Sequence, residues 1–507
     1  MASVDVCFLC SVFLCFRLPR QALCPEKDML LSFVNLAFIF IVIFLFYALR
    51  RRFRPYVLLA ASMVFIWRLN RGALIWVLSC SVLLYLCGLR IQFLLGEDRK
   101  KSARVMTVAG IIVCAASLFF LKHVSRSFPD ESVLHRFILP VGFSYYIFQG
   151  ISYLSDVYRE ELPAEKNPAI LTLYMCFFPK FISGPIEKPK TFLEQIRNLD
   201  SVGLFDENRI PLAFASLLYG CFMKVVIADR LAPLTSGLLN YPHIYGSKWL
   251  FYGMLMYTMQ IYCDFAGYSA IAVGVGRLFG LTLTENFHTP YFSRNIAEFW
   301  RRWHISLSGW LRDYIYIPLG GNRKGLRRKC LNLLAVFVIC GMWHGAGMRF
   351  IIWGLLHGIC QVVYTICRDK KPSMADRVPG IIKTAAGTVL TFSFVSFVWI
   401  FFGAPNTRFA LNYILRMFTA GIGEVPMLNQ ELQLGVTPFV KNIPVYGIFV
   451  IILDGIMRKE NLPFAEAVLK LPVWARYLLE YLMIIGIFLL GMYGPGYNAQ
   501  DFMYMEY

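Results

Sequence analysis

The chain has 507 residues, of which 58% are hydrophobic and only 16% are charged, whereas about a quarter of the residues of an average soluble protein are charged. Apolar runs of about 20 residues, the length that spans a bilayer, recur along most of the sequence. This composition excludes a soluble globular enzyme and predicts an all-α polytopic membrane protein.

The net charge of +19 would suggest nucleic-acid binding in a soluble protein. Here, basic residues cluster between apolar runs, as cytoplasmic loops do under the positive-inside rule. We therefore expect a lipid bilayer and no nucleic acid as the partner of these charges. Binding of phosphate groups, for instance on a nucleotide-bearing donor, is the alternative interpretation. The clusters lie at 50–54, 99–104, 323–329 and 368–371.

The two ends of the chain differ from its middle. Residues 1–28 hold a short apolar run that follows Asp5 rather than basic residues, and no small-residue cleavage site is evident. Met29 begins a cleaner membrane segment. We predict that 1–28 is a dispensable N-terminal extension, that 29–494 is the membrane domain, and that 495–507 is an aromatic C-terminal tail.

The middle of the chain predicts roughly eleven to thirteen transmembrane and re-entrant helices. Several segments are too short to cross a bilayer upright, and such segments are tolerated when they are buried in protein or line a cavity. After the segment that starts at Met29, the predicted spans are 56–67, 73–95, 104–122, 137–155, 168–183, 210–230, 250–280, 331–348, 349–366, 381–403, 443–457 and 474–494.

One stretch, "FWRRWHISLSGWLRDYIYIPLGGNRKG" at 299–325, is too polar for a lipid-facing helix. Trp300, Trp303, Trp310 and Tyr314 share one face at helical spacing with Leu307 and Leu311. Tryptophan and tyrosine favour the membrane–water boundary. The stretch therefore predicts an amphipathic or re-entrant helix that ends in the turn residues of "PLGGNRKG". This pattern does not explain His304 at the edge of the aromatic face.

Three of the seven histidines lie in or beside predicted membrane segments, where an ionisable residue is a functional hypothesis by default. His344 follows an unbroken apolar run and is flanked by glycines, which allow close approach of a backbone or substrate. His357 and His304 are the other two. The alternative for each is a neutral histidine hydrogen-bonded to a backbone carbonyl between helices. No carboxylate or cysteine stands beside them at ligand spacing, so we expect neither a metal nor a bound cofactor.

A histidine in a dry membrane interior suits acyl transfer. A neutral imidazole can take the proton of an alcohol while the alcohol oxygen attacks an acyl carbonyl. Exclusion of water would protect a thioester donor from hydrolysis.

Two motifs carry a family resemblance: the stretch at 299–325 and "GMWHGAGMRFIIWGLLHG" at 341–358. Together with blocks at 139–160, 177–196, 219–234 and 262–291, they resemble the membrane-bound O-acyltransferase (MBOAT) family, and within it the membrane subunits of alginate and peptidoglycan O-acetyltransferases. The resemblance implies a ring of helices around a central tunnel, open to a thioester donor in the cytoplasm and to an acceptor outside. Ala270 departs from the pattern, because the family has aspartate there.

The resemblance implies roles for individual residues. His344 matches the catalytic histidine of the family, and His304 matches a second polar position of the active site. The ending Phe502-x-Tyr504-x-x-Tyr507 resembles the FxYxxF ending of this branch, in which the tyrosine is a candidate acyl relay; an interfacial anchor is the alternative. Substrate-binding roles are expected for Trp303, Trp343, Arg323, Lys324 and His357.

The expected function is transfer of an acetyl group from cytoplasmic acetyl-CoA, as a substrate, to an exported polysaccharide. The resemblance implies a bacterial cytoplasmic (inner) membrane and an extracytoplasmic SGNH-type, esterase-like partner. D-alanyl transfer from a carrier protein to teichoic acid is the alternative. A transporter or flippase is disfavoured, because the sequence shows neither an internal repeat nor paired intramembrane charges.

Overall fold

The computed structural model describes residues 33–124, 142–204, 206–345, 347–369, 380–421 and 443–492. All regular secondary structure in these ranges is helical, which confirms the all-α prediction. The proposed extension at 1–28 and the tail at 495–507, with Tyr504, lie outside the described residues.

The helices are numbered here in chain order. They are α1 (Phe33–Ala48), α2 (Arg54–Leu69), α3 (Arg71–Gly96), α4 (Lys100–Val124), α5 (Phe143–Tyr158), α6 (Pro168–Cys176), α7 (Pro189–Arg197), α8 (Arg209–Cys221), α9 (Asp229–Asn240), α10 (Ser247–Leu278), α11 (Ile296–Arg302), α12 (Ile305–Leu311), α13 (Gly325–His344), α14 (Met348–Asp369), α15 (Gly380–Gly403), α16 (Thr407–Thr419), α17 (Ile443–Glu460), α18 (Phe464–Leu469) and α19 (Val473–Leu490).

Six segments of the described chain are long and apolar enough to cross a membrane. They are α3, residues 100–121 of α4, the continuous segment Arg209–Asn240, residues 348–368 of α14, α15 and α19. Shorter helices such as α6, α11 and α12 fill the interior between them. Each predicted span has a helix at its position, and the multi-pass membrane class is therefore confirmed. The central tunnel stays a prediction.

The helix α10 forms the centre of the structure and packs closely on α8. Glycines make this contact possible, because a Cβ added at Gly220 would lie 2.6 Å from the Gly267 carbonyl oxygen. One turn further on, a π-helical turn at Phe222–Ala228 joins α8 to α9. There the buried Lys224 ammonium lies 2.6 Å from Asp264 and 2.8 Å from Asp229. Buried charges need such partners, so this cluster ties α8, α9 and α10 together.

The hairpin of α13 and α14 carries two of the candidate histidines. A Cβ at Gly341 would lie 2.3 Å from the Phe350 carbonyl oxygen, and one at Gly354 would lie 2.2 Å from the Phe337 carbonyl oxygen. The two helix backbones therefore touch, as small residues allow in membrane proteins. This contact fixes the end of α13, where His344 is the last helical residue.

Candidate active site

The stretch at 299–325 folds differently from the expected helix. It forms two short helices, α11 and α12, which are separated at Trp303 and His304, and α12 continues into a π-helical turn at Arg312–Tyr316. His304 has φ 45° and ψ 56°, in the left-handed region. A non-glycine residue held there costs on the order of 1–3 kcal/mol, and such residues cluster at functional sites. The structure therefore interrupts the predicted amphipathic or re-entrant helix at this point and has the predicted turn at 317–324.

Asn286 holds the break in place. Its backbone carbonyl accepts a hydrogen bond from the Ile305 N–H at 3.0 Å, and its side-chain oxygen accepts one from the Ser306 N–H at 3.1 Å. These N–H groups belong to the first turn of α12, which has no intrahelical partners for them. Asn286 thus replaces the bonds that a continuous helix would have made. Sequence reasoning missed this residue, and its only signal was its position within the 262–291 block.

The His304 ring is buried among aromatic side chains. Its centroid lies 4.7 Å from Phe265, 6.2 Å from Trp343 and 6.5 Å from Tyr145. Neither ring nitrogen has a hydrogen-bond partner within the described chain. Burial lowers the pKa of the His304 imidazole to about 3, because the cationic form loses its hydration. The ring is therefore neutral and has one donor and one acceptor to offer a ligand.

The His344 ring also contacts Trp343. Its ring centroid is 4.7 Å from Trp343, 5.0 Å from Trp353 and 5.1 Å from Phe402. Trp343 therefore contacts both His304 and His344. The fold brings together three residues that the sequence analysis had named separately, from segments 40 positions apart.

His357 is fully buried and is held by packing. The Trp300 indole N–H donates a hydrogen bond to His357 Nδ1 at 3.3 Å, and the Trp353 ring lies 4.9 Å away. This is a neutral, hydrogen-bonded histidine, but Nδ1 accepts its hydrogen bond from an indole, whereas the alternative expected a ring N–H that donates to a backbone carbonyl. Trp303 is also fully buried, and its ring contacts Phe287 at 5.0 Å. Trp303 therefore belongs to the aromatic packing around the histidine site.

A cavity of about 1030 Å³ lies against this aromatic cluster, which is the upper end of the usual range of ligand sites, roughly 300–1,000 Å³. Ile305 and Ser306, the residues that follow His304, line it. Trp310 lines it too, and stacks on Phe148 at 3.8 Å. Phe148 in turn stacks on Trp343 at 5.3 Å. A stack of three rings, Trp310, Phe148 and Trp343, therefore connects the cavity wall to the two histidines.

The cavity wall is basic. Its charged lining residues are Lys188, Arg301, Arg312, Lys329, Arg368 and Glu187. Glu187 accepts hydrogen bonds from Thr284, and Lys188 and Arg312 both contact Asp313. Arg301 has no acidic partner among the residues that the structure describes. Arg323 and Lys324 are exposed in the turn before α13 and are not part of the lining, so their predicted role stays a prediction.

The fold and the site together define a multi-pass helical membrane protein in which buried histidines adjoin a large basic cavity. Residues 166–404 match the family model of "MBOAT, membrane-bound O-acyltransferase family". The chain is 36% identical over 420 residues to "Probable alginate O-acetylase AlgI" of Pseudomonas aeruginosa, which covers 78% of this chain and 77% of that protein. This chain therefore belongs to the membrane-bound O-acyltransferase family.

Two further relatives mark the breadth of the similarity. The chain is 33% identical over 345 residues to "Peptidoglycan O-acetyltransferase" of Helicobacter pylori, covering 62% of this chain and 64% of that one. It is 31% identical over 305 residues to "Teichoic acid D-alanyltransferase" of Bacillus subtilis, covering 56% and 73%. The family consists of acyltransferases, so the protein is an enzyme of that class. The interpretation as a transporter or flippase is therefore not supported.

Proposed function

We propose that this protein moves an acetyl group from cytoplasmic acetyl-CoA to a hydroxyl group of an extracytoplasmic polysaccharide. One arrangement carries the proposal: a stack of three aromatic rings connects the wall of the large basic cavity to two histidines that share the Trp343 indole. Clustered basic side chains suit the phosphates of a coenzyme A thioester. The relatives named for O-acetylation cover more of the chain than the named D-alanyltransferase does, which favours acetyl as the acyl group.

In the proposed reaction His344 is the general base. Its imidazole takes the proton of the acceptor hydroxyl while that oxygen attacks the thioester carbonyl carbon. The tetrahedral intermediate then collapses, the carbon–sulfur bond breaks, and the leaving thiolate takes up the proton from His344. The products are an ester and a free thiol. The surrounding Trp353 and Phe402 rings exclude water, which limits hydrolysis of the thioester.

His304 is proposed to orient the donor. Its neutral ring has one N–H and one free nitrogen, neither of which bonds to the described part of the protein. Each can therefore bond to the acyl donor or acceptor at no cost in lost internal hydrogen bonds. The left-handed backbone at His304 holds the ring in this position before substrate arrives.

The acyl group then leaves toward the outside of a bacterial cytoplasmic membrane. We propose an SGNH-type, esterase-like partner as the next carrier, and alginate, peptidoglycan or a similar polymer as the acceptor. Tyr504 is the proposed first acceptor. A phenol has a pKa of about 10, so its ester has a better leaving group than an alkyl ester and can pass the acyl group onward.

D-alanyl transfer from a carrier protein is the second candidate, and the similarity to the Bacillus subtilis protein favours it. The two candidates differ in the donor. Purified protein incubated with isotopically labelled acetyl-CoA, or with a D-alanyl carrier protein, should take up label only from its true donor.

The test of the proposed mechanism is His344→Ala in the full-length protein, with His344→Gln to retain a polar side chain. Loss of a general base lowers the rate on the order of a hundred- to ten-thousand-fold. Both variants should insert into the membrane and unfold under the same conditions as the wild-type protein. Their rates of acetyl transfer should be lower by this factor. The control is His243→Ala, which removes a histidine from the connection between α9 and α10. Near-normal transfer by His344→Ala would refute His344 as the base.

A further inference from the structure

The third ring against the histidine site belongs to Tyr145. It lies in the first turn of α5, after Gly142, which has a φ of 74°. The Tyr145 ring stacks on His304 at 6.5 Å with an interplanar angle of 29°, and it meets the Trp343 ring edge-on at 5.5 Å. Tyr145 therefore contacts His304, which the proposed reaction uses, and the indole that both histidines share.

The Tyr145 hydroxyl is buried without a well-formed hydrogen bond. The buried Ser183 hydroxyl is close enough to interact with it, but the two do not form a hydrogen bond of ordinary geometry. Leaving a buried hydroxyl in this state costs about 1–3 kcal/mol, and the large majority of buried polar groups avoid it. Here the ring that carries the unpartnered hydroxyl stacks on His304, whose two ring nitrogens also lack partners in the described chain. Unpartnered polar groups on two stacked rings indicate that a polar ligand completes them.

The next residue along the chain provides a contrast. Tyr146 is equally buried, and its hydroxyl also lacks a partner. Its ring stacks on Phe181 at 5.7 Å and meets Phe143 at 5.1 Å, and it makes no described ring contact with either histidine. The two tyrosines thus share chemistry and burial, but only Tyr145 touches the histidine site.

We infer that Tyr145 is a further catalytic residue, whose hydroxyl donates a hydrogen bond to the carbonyl oxygen of the bound thioester. This inference rests on the proposed function. When the acceptor oxygen attacks, the carbonyl π electrons move onto that oxygen, and the Tyr145 O–H stabilises the negative charge without giving up its proton. The electron pair returns to the carbon as the carbon–sulfur bond breaks. Such donors act most strongly in sites that exclude water.

The experiment compares Tyr145→Phe with Tyr146→Phe in the full-length protein, reconstituted in lipid and supplied with acetyl-CoA. Each change keeps the ring and removes one buried hydroxyl; Tyr145→Phe also removes the interaction with Ser183, so thermal unfolding is measured for both variants. Removal of a single oxyanion donor lowers kcat by about a hundred- to a thousand-fold. We expect that loss in Tyr145→Phe, with KM and thermal unfolding unchanged, and a kcat near the wild-type value in Tyr146→Phe.

Three outcomes would overturn the inference. Equal effects of the two substitutions would show that Tyr145 has no special role, although wild-type activity would still support the proposed function. Loss of folded protein in Tyr145→Phe alone would show that the hydroxyl is structural. A wild-type protein that does not consume acetyl-CoA would overturn the proposed function and, with it, the role of Tyr145.

Discussion

The contact between α13 and α14 can be tested at Gly341. A Cβ at this position would lie 2.3 Å from the Phe350 carbonyl oxygen and 3.0 Å from its carbonyl carbon. The shortest favourable contacts between carbon atoms are about 3.5 Å. The Gly341→Ala substitution therefore requires the helices to separate by about 1 Å. The obstacle is backbone rather than a flexible side chain. We therefore expect Gly341→Ala to lower the free energy of unfolding by about 2–3 kcal/mol, the upper part of the range for overpacked cores.

The same separation moves the active site. His344 lies one turn beyond Gly341 on α13, whereas Trp353, against which its ring packs, lies on α14. A displacement of 1 Å at a catalytic group lowers the rate on the order of a hundred-fold. Gly341→Ala should therefore reduce both stability in denaturant and acetyl transfer in reconstituted membranes.

The matched control is Gly455→Ala in α17, where the added Cβ would meet nothing within 4 Å. An alanine in an open helical position stabilises by about 0.5–1 kcal/mol relative to glycine. If Gly341→Ala were as stable and as active as Gly455→Ala, the helices would not be in the close contact described here, and the reasoning would be refuted.

Three further predictions concern other parts of the chain. Arg301→Gln should raise the KM for acetyl-CoA several-fold with little change in kcat, because Arg301 lines the cavity. A larger rise in KM with Arg323→Gln would instead show that the phosphates bind at the turn before α13. Lys224→Met should lower the free energy of unfolding by about 3–5 kcal/mol, because it leaves buried carboxylates without their cation; a stability equal to the wild type in denaturant would contradict this. Tyr504→Phe should abolish labelling of the C-terminal peptide by isotopically labelled acetyl-CoA, as detected by mass spectrometry, and should block polysaccharide acetylation; normal acetylation would leave the tail as an interfacial anchor.

Local features of the sequence determined the membrane class and the positions of the helices. An apolar run of sufficient length predicts a membrane helix whatever its neighbours are, because the backbone groups within it must bond to one another. The predicted spans at 73–95 and 381–403 accordingly lie within α3 and α15. The candidate histidines were also evident, because an ionisable group in an apolar run is costly and therefore unusual.

The arrangement of the site was decided by the tertiary structure. Periodicity predicted a helix through His304, but Asn286 binds the N–H groups of the following turn and breaks that helix. The Trp343 ring contacts both His304 and His344, and Tyr145 of α5 stacks on His304. No local pattern encodes these contacts, because they join residues far apart in the chain. They form only when close packing of the helices brings those residues together.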